Sequence, residues 1–189
     1  MKKLAVLLLF ICFTSCEDAP EIGDCRDGGI VFYLASEGED LNGDGTPDKG
    51  LICAIVDQST GIRWNNGSSS VVGASGLDIG DGFSNTNTII SAQGPVEMSY
   101  AAGIARAFTG GGYTDWFLPS LKELGEMYTQ KSIIDAAALS KGGTAIQGST
   151  YWSSTEEGDD DASDTNFTNG NQTTSFKGTT FYVRAIRVF

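Results

Sequence analysis

Pro119-Ser-Leu-Lys-Glu-Leu124 is the stretch on which the reading of the fold turns. Ser120 and Glu123 stand three apart directly after a proline. This is the spacing of a capping box, in which a hydroxyl and a carboxyl satisfy free backbone N–H groups at a helix start. A helix is therefore expected to open here with Leu121, Leu124 and Tyr128 inward. Upstream, Pro95 to Phe108 puts Met98, Ala101, Ala102, Ala105 and Phe108 on one helical stripe. Downstream, Ser132 to Leu139 reads as a shorter third helix.

Strand patterns lie on both sides of this helical middle. Gly29-Ile-Val-Phe-Tyr-Leu34 and Leu51-Ile-Cys-Ala-Ile-Val56 are β-branched and aromatic runs bounded by Gly and Asp, expected to pair across the loop 36–50. After Gly142-Gly143 come Thr150–Ser153, Thr165–Phe167, Thr173–Phe176 and an alternating run, Thr180–Val188. Strands, then helices, then strands imply an α+β domain with a mostly antiparallel sheet and two or three helices. Residues 59–95 hold few apolar positions among many Gly, Ser, Asn and Thr, and are expected to be a long irregular excursion.

Met1-Lys-Lys3 followed by the apolar Leu4–Phe13 reads as an export signal, because a membrane-spanning helix needs roughly 17–25 apolar residues. Thr14-Ser15-Cys16 leads into a charged stretch. Residues 1–15 are thus expected to form a lipoprotein signal, with Cys16 lipidated, 16–27 an acidic tether and 28–189 a single domain. Ordinary cleavage near Ser15 is the alternative. A lipid-anchored address at the cell surface, most simply the outer membrane, follows from the first reading. Diacylation would anchor the chain without a spanning helix.

Composition narrows function. The chain has 189 residues, a net charge of −12 and no histidine. Such acidity argues against nucleic acid and against direct adhesion to anionic lipid. Lack of histidine removes the commonest general base and the commonest imidazole metal ligand. No Ser–His–acid set and no nucleophile elbow is present, so catalysis is not expected. With Cys12 lost and Cys16 lipidated, Cys25 and Cys53 remain, and an oxidising compartment favours a disulfide between them over two unpaired thiols.

Asp40-Leu-Asn42-Gly-Asp44-Gly45-Thr46-Pro-Asp48 places oxygen side chains at positions 1, 3, 5 and 9 of a calcium loop, with glycine at the sharp turn. Asp40, Asn42, Asp44, Asp48 and the Thr46 carbonyl are the expected ligands of a structural Ca2+. Position 12 is Leu51 rather than glutamate, and strands rather than helices flank the loop, so a metal-free acidic hairpin loop is the alternative. Glu156-Glu-Gly-Asp-Asp-Asp161 with Asp164 is expected to be a solvated acidic loop, a second cation site being the alternative.

Gly112-Tyr-Thr-Asp-Trp-Phe-Leu-Pro119, Glu123-Leu124, Tyr151-Trp-Ser-Ser-Thr-Glu156 and Val183-Arg-Ala-Ile-Arg187 together resemble the Lcl C-terminal-like domain family of exported bacterial domains. Gly28–Tyr33, and Asp57–Gly61 before Trp64, are similar to the lipoprotein versions. The resemblance extends over about residues 22–189. It implies a C-type-lectin-like fold and, from an adhesin member that recognises sulfated glycans, a carbohydrate or other surface polymer as ligand. The sulfated ligand does not carry over, because this chain is strongly acidic. Trp116, Leu118, Trp152, Val183 and Ile186 are expected to be core. Asp115, Glu156 and Arg184 are expected in polar pairs that fix loops. Trp64, Asn65 and Tyr113, in Gly/Asn-rich loops, are the expected exposed sugar contacts. A structural or assembly component of the envelope without a small ligand is the competing function.

Overall fold

Side-chain alternation along two central strands divides the interior into two cores. The computed structural model describes residues 18–94 and 98–189. Strands β1 (Cys25–Arg26), β2 (Gly29–Leu34) and β3 (Gly50–Ala54) form an antiparallel run. Val31, Ile52 and Ala54 face one cluster with Trp64, Trp116 and Trp152, whereas Ile30, Phe32, Leu51 and Cys53 face the other. Both faces are covered, so these strands read as unbroken apolar runs, without polar alternation.

The chain continues through β4 (Ser59–Arg63), α1 (Asp81–Gln93), α2 (Ala101–Ala107), α3 (Leu121–Thr129) and α4 (Lys131–Ser140). It then returns to strands: β5 (Thr150–Glu156), β6 (Asp161–Asn166), β7 (Gln172–Phe176), β8 (Thr180–Val183) and β9 (Ile186–Val188). One sheet has the order β1-β2-β3-β9 and the other β4-β8-β5-β6-β7. Pairing is antiparallel except where β5 meets β8, at Tyr151 and Tyr182. The expected α+β class, with mostly antiparallel sheets, is what the chain adopts.

Differences from the sequence expectation have local causes. Thr180–Val188 is two strands in different sheets, because the chain crosses between the sheets at Arg184–Ala185. The excursion at 59–95 contains β4 and the 13-residue α1. Its buried face is largely polar: Asn85 exchanges two hydrogen bonds with the Gly76 backbone, and Thr86 Oγ1 accepts from the Leu118 N–H at 3.0 Å. A face that buries amides and hydroxyls leaves no apolar stripe to detect. There are four α-helices among the described residues. Residue 95, where the second of them was expected to start, lies outside those residues, and Met98 is 73% exposed rather than inward.

At α3 the capping box is present: Glu123 N–H donates to Ser120 Oγ, and the Glu123 carboxylate accepts from Ser120 N–H. The inward residues are Glu123, Leu124 and Met127, with Leu121 and Tyr128 only half-buried. Trp116, Leu118, Trp152, Val183 and Ile186 are all fully buried, as expected of core. The tether is shorter than residues 16–27: Ile22 packs on the core, and Gly23 N–H donates to Val31 O at 2.8 Å. Cys16, where lipidation is expected, and the expected signal 1–15 lie outside the described residues.

Candidate functional site

The turn between β3 and β4 carries Val56, Asp57 and Gln58 to the surface, beneath the crossing from β8 to β9. Arg184, 1% exposed at that crossing, donates from Nε to Asp57 Oδ1 at 2.6 Å. Its Nη1 donates to Ala54 O at 2.9 Å and to Thr144 O at 3.3 Å. Tyr151 Oη donates to the Asp57 carboxylate at 3.1 Å and accepts from Gln147 N–H at 2.9 Å. Burial raises the Asp57 pKa, and the Arg184 charge opposes that rise. Burial, reinforced by the Asp57 charge, also raises the Tyr151 pKa, so the phenol stays protonated and donating. The network ties strands, turn and loop together and holds the Asp57 side chain, 8% exposed, just beneath the surface.

Two recesses adjoin Asp57 and together form a surface groove, the Asp57 groove. One, of about 310 Å³, has an apolar wall of Met98, Ile104 and Phe108. The other, of about 380 Å³, is lined by Thr60, Thr144, Gln147 and Tyr182. Both include Val56 and Asp57. An apolar or aromatic wall with a few convergent polar groups is the usual chemistry of a small-molecule site. A larger recess of about 690 Å³ lies at Asp24, Arg26, Asp27 and Lys49. Its lining is mostly charged, with little apolar wall, so the Asp57 groove is the better candidate.

The residues expected to contact sugar lie elsewhere. Trp64 is fully buried, its indole N–H donating to Ser153 O at 2.9 Å, so the expectation of an exposed ring is corrected. Asn65 is 3% exposed and spends its amide on its own turn, donating to Ser68 O and accepting from Gly67 N–H. Tyr113 is half-buried: Arg187 sits 3.8 Å from its ring centroid and its hydroxyl donates to Asp27 at 2.9 Å. Gly28 and Gly111 bring the two turns together here. Both have positive φ, and a Cβ on either would fall within 2.7 Å of the other's backbone.

Trp64 packs within the apolar cluster of Trp116 and Trp152, with the buried Lys177 over its ring. The Lys177 ammonium lies 4.9 Å from the Trp64 ring centroid. It donates to Glu156 Oε1 at 2.6 Å and to the carbonyls of Gly158, Asp159 and Ser70 at 2.7, 2.9 and 3.1 Å. Glu156 in turn accepts from Val72 and Gly73 N–H. A tethered cation thus pins both the 68–73 loop and the acidic loop after β5. Asp115 likewise pairs with Arg187, though at the surface.

Cys25 and Cys53 are both free thiols, and the expected bridge between them is corrected. Each is the ladder partner of Ile30, on opposite sides of β2. Two ladder spacings separate their Cα atoms by roughly 10 Å, beyond the roughly 7 Å limit for a disulfide. Burial pushes the Cys53 thiol up to about 12.

In the 40–48 loop, Asp40 accepts from the N–H groups of Gly43 and Gly45, at 2.7 and 2.8 Å. Asn42 Oδ1 accepts from Asp44, Asp44 Oδ1 from Thr46, and Asp48 Oδ2 from Leu41. These bonds lower the Asp40 pKa, whereas burial raises that of Asp48. Among the described residues, no three His, Cys, Asp or Glu side chains are grouped so as to hold a metal ion. No helix there is long and apolar enough to cross a membrane.

Two mostly antiparallel sheets enclosing buried Trp and Arg motifs define an α+β domain. The model of the Lcl C-terminal domain matches residues 53–187. The chain belongs to that family. No curated protein matches it. Among solved structures it is similar to a fimbrial protein from Bacteroides ovatus ATCC 8483, with 16% identity and a TM-score of 0.59. That likeness covers 92% of this chain but 46% of the other, and at this identity it concerns the fold alone.

Proposed function

We propose that this chain is a non-catalytic, exported surface module, lipid-anchored at Cys16, which binds a carbohydrate or similar surface polymer along the Asp57 groove. The observation that carries this reading is the pair of recesses sharing Val56 and Asp57. Tyr182 offers an aromatic edge, while Gln147, Thr60 and Thr144 offer the amide and hydroxyl groups that pair with sugar hydroxyls. A structural Ca2+ in the 40–48 loop would stabilise the hairpin between β2 and β3, away from the groove. A glycan array probed with the full chain, with and without calcium, tests the proposal. Hits that weaken at least tenfold in Gln147→Ala and Thr60→Val, with unchanged melting, are expected.

The second reading is a structural or assembly component of the envelope without a small ligand. It is supported by the burial of most family motif residues, which serve packing. The likeness in fold to a fimbrial protein also supports this reading. A blank array would favour it.

A further inference from the structure

The two sheets present four outer edges, and three of them are protected. β1 is only two residues long. β4 is interrupted by a register shift between Ser59 and Ile62. β9 is covered by Phe117, whose N–H and C=O both bond to Ile186. These are the devices by which sheets avoid pairing with another chain. β7 has none of them. It pairs with β6 over five residues without a register shift, and Gln172-Thr-Thr-Ser-Phe176 contains no charge and no proline.

The direction of its free groups follows from the ladder. Lys177 N–H donates to Asp160 O, and Asn166 N–H donates to Asn171 O. Odd-numbered residues of β7 therefore bond to β6, and Gln172, Thr174 and Phe176 point their backbone groups outward. Phe176 O takes the Thr179 N–H. Among the described residues, the N–H groups of Gln172 and Thr174 have no partner.

We propose that this edge joins two copies of the chain, β7 pairing antiparallel with β7 about a two-fold axis at Thr174. Charge favours this arrangement. Asp161 is the ladder partner of Phe176, so the acidic run 157–161 lies at one end of the strand. The two-fold sets that end against the uncharged Thr168–Asn171 turn of the other copy. The two acidic ends then stand roughly 13 Å apart along the strand direction, beyond the Debye length of about 8 Å at physiological salt. A parallel pairing would put them side by side.

Sedimentation velocity of the full chain over a concentration series, with amide hydrogen exchange, tests the proposal. A concentration-dependent dimer is expected, strengthened by added salt. Amides of Gln172 and Thr174 should slow as it forms, while those of Thr173 and Ser175 stay slow throughout. Thr174→Pro removes only an outward N–H, and Thr174→Lys places two ammonium groups face to face at the axis. Each should weaken the dimer at least tenfold with native circular dichroism retained. A monomer at all concentrations, a dimer with Gln172 and Thr174 still exchanging fast, or dimerisation undiminished in both variants would overturn it.

Discussion

Arg184 and Asp57 meet at 2.6 Å where the chain passes from one sheet to the other, 127 residues apart in sequence. The guanidinium is fully buried and has no other charged partner among the described residues' ion pairs, so this contact decides whether the crossing is tolerated. Asp57→Ala is expected to destabilise the domain by about 3–5 kcal/mol, because it leaves a buried cation uncompensated. Urea denaturation of the variant, and of Asp57→Ala with Arg184→Met, measures this. The double variant should recover part of the loss.

Lys177→Met should loosen two loops at once. It withdraws the ammonium from three carbonyls and leaves Glu156 without its cation. A loss of about 3–5 kcal/mol is expected for breaking one side of a buried pair. Amide exchange should accelerate in 68–73 and 157–160 and remain unchanged in β2. Uniform acceleration would argue against a local clamp.

Trp64→Ala should cost about 3–5 kcal/mol of stability, as expected for emptying a buried aromatic site. Glycan binding, measured below the melting transition, should be unaffected. Loss of binding in a variant that remains folded would return Trp64 to the ligand site.

Burial raises the Glu123 carboxyl to about 7, against the opposing backbone hydrogen bonds from Ser120, Gly80 and Gly82. A folded-state pKa above the unfolded value stabilises the protein fully below the unfolded pKa. That contribution is lost as pH rises through the folded pKa. Between about pH 4.5 and pH 7, stability from this group should fall by about 3 kcal/mol. Urea midpoints across that range, compared with Glu123→Gln, provide the measurement. The variant should lack this slope.

Calcium should raise the melting temperature of the chain, and Asp40→Ala should abolish its uptake in calorimetric titration. Asp40 also organises the loop by accepting from Gly43 and Gly45, so the variant should melt lower even without calcium. Wild-type chain that takes up no calcium would refute the ligand set.

Much of the fold was legible because it rests on local rules. The Ser120–Glu123 box started a helix where its spacing said, and Gly29–Leu34 formed a strand with the expected bounds. Ser132–Leu139 fell within α4. α1 was not legible, since Asn85, Thr86 and Gln93 are buried by hydrogen bonding to other loops rather than by an apolar face. The Asp57 groove was equally hidden, because its walls come from the β3–β4 turn, α2, the 144–147 loop and β8.

Trp64 shows the limit most clearly. Its Gly/Asn-rich neighbours suggested exposure, yet Lys177 and Ser153, more than 85 residues away, enclose it. The sequence by itself determined the α+β class, most strands, the capped helix and the aromatic core of the family motifs. Periodicity and capping act over a few residues and can be read along the chain. Tertiary structure alone decided which side chains are exposed, which cysteines lie within reach, and where a groove opens. Those properties depend on packing between segments far apart in sequence.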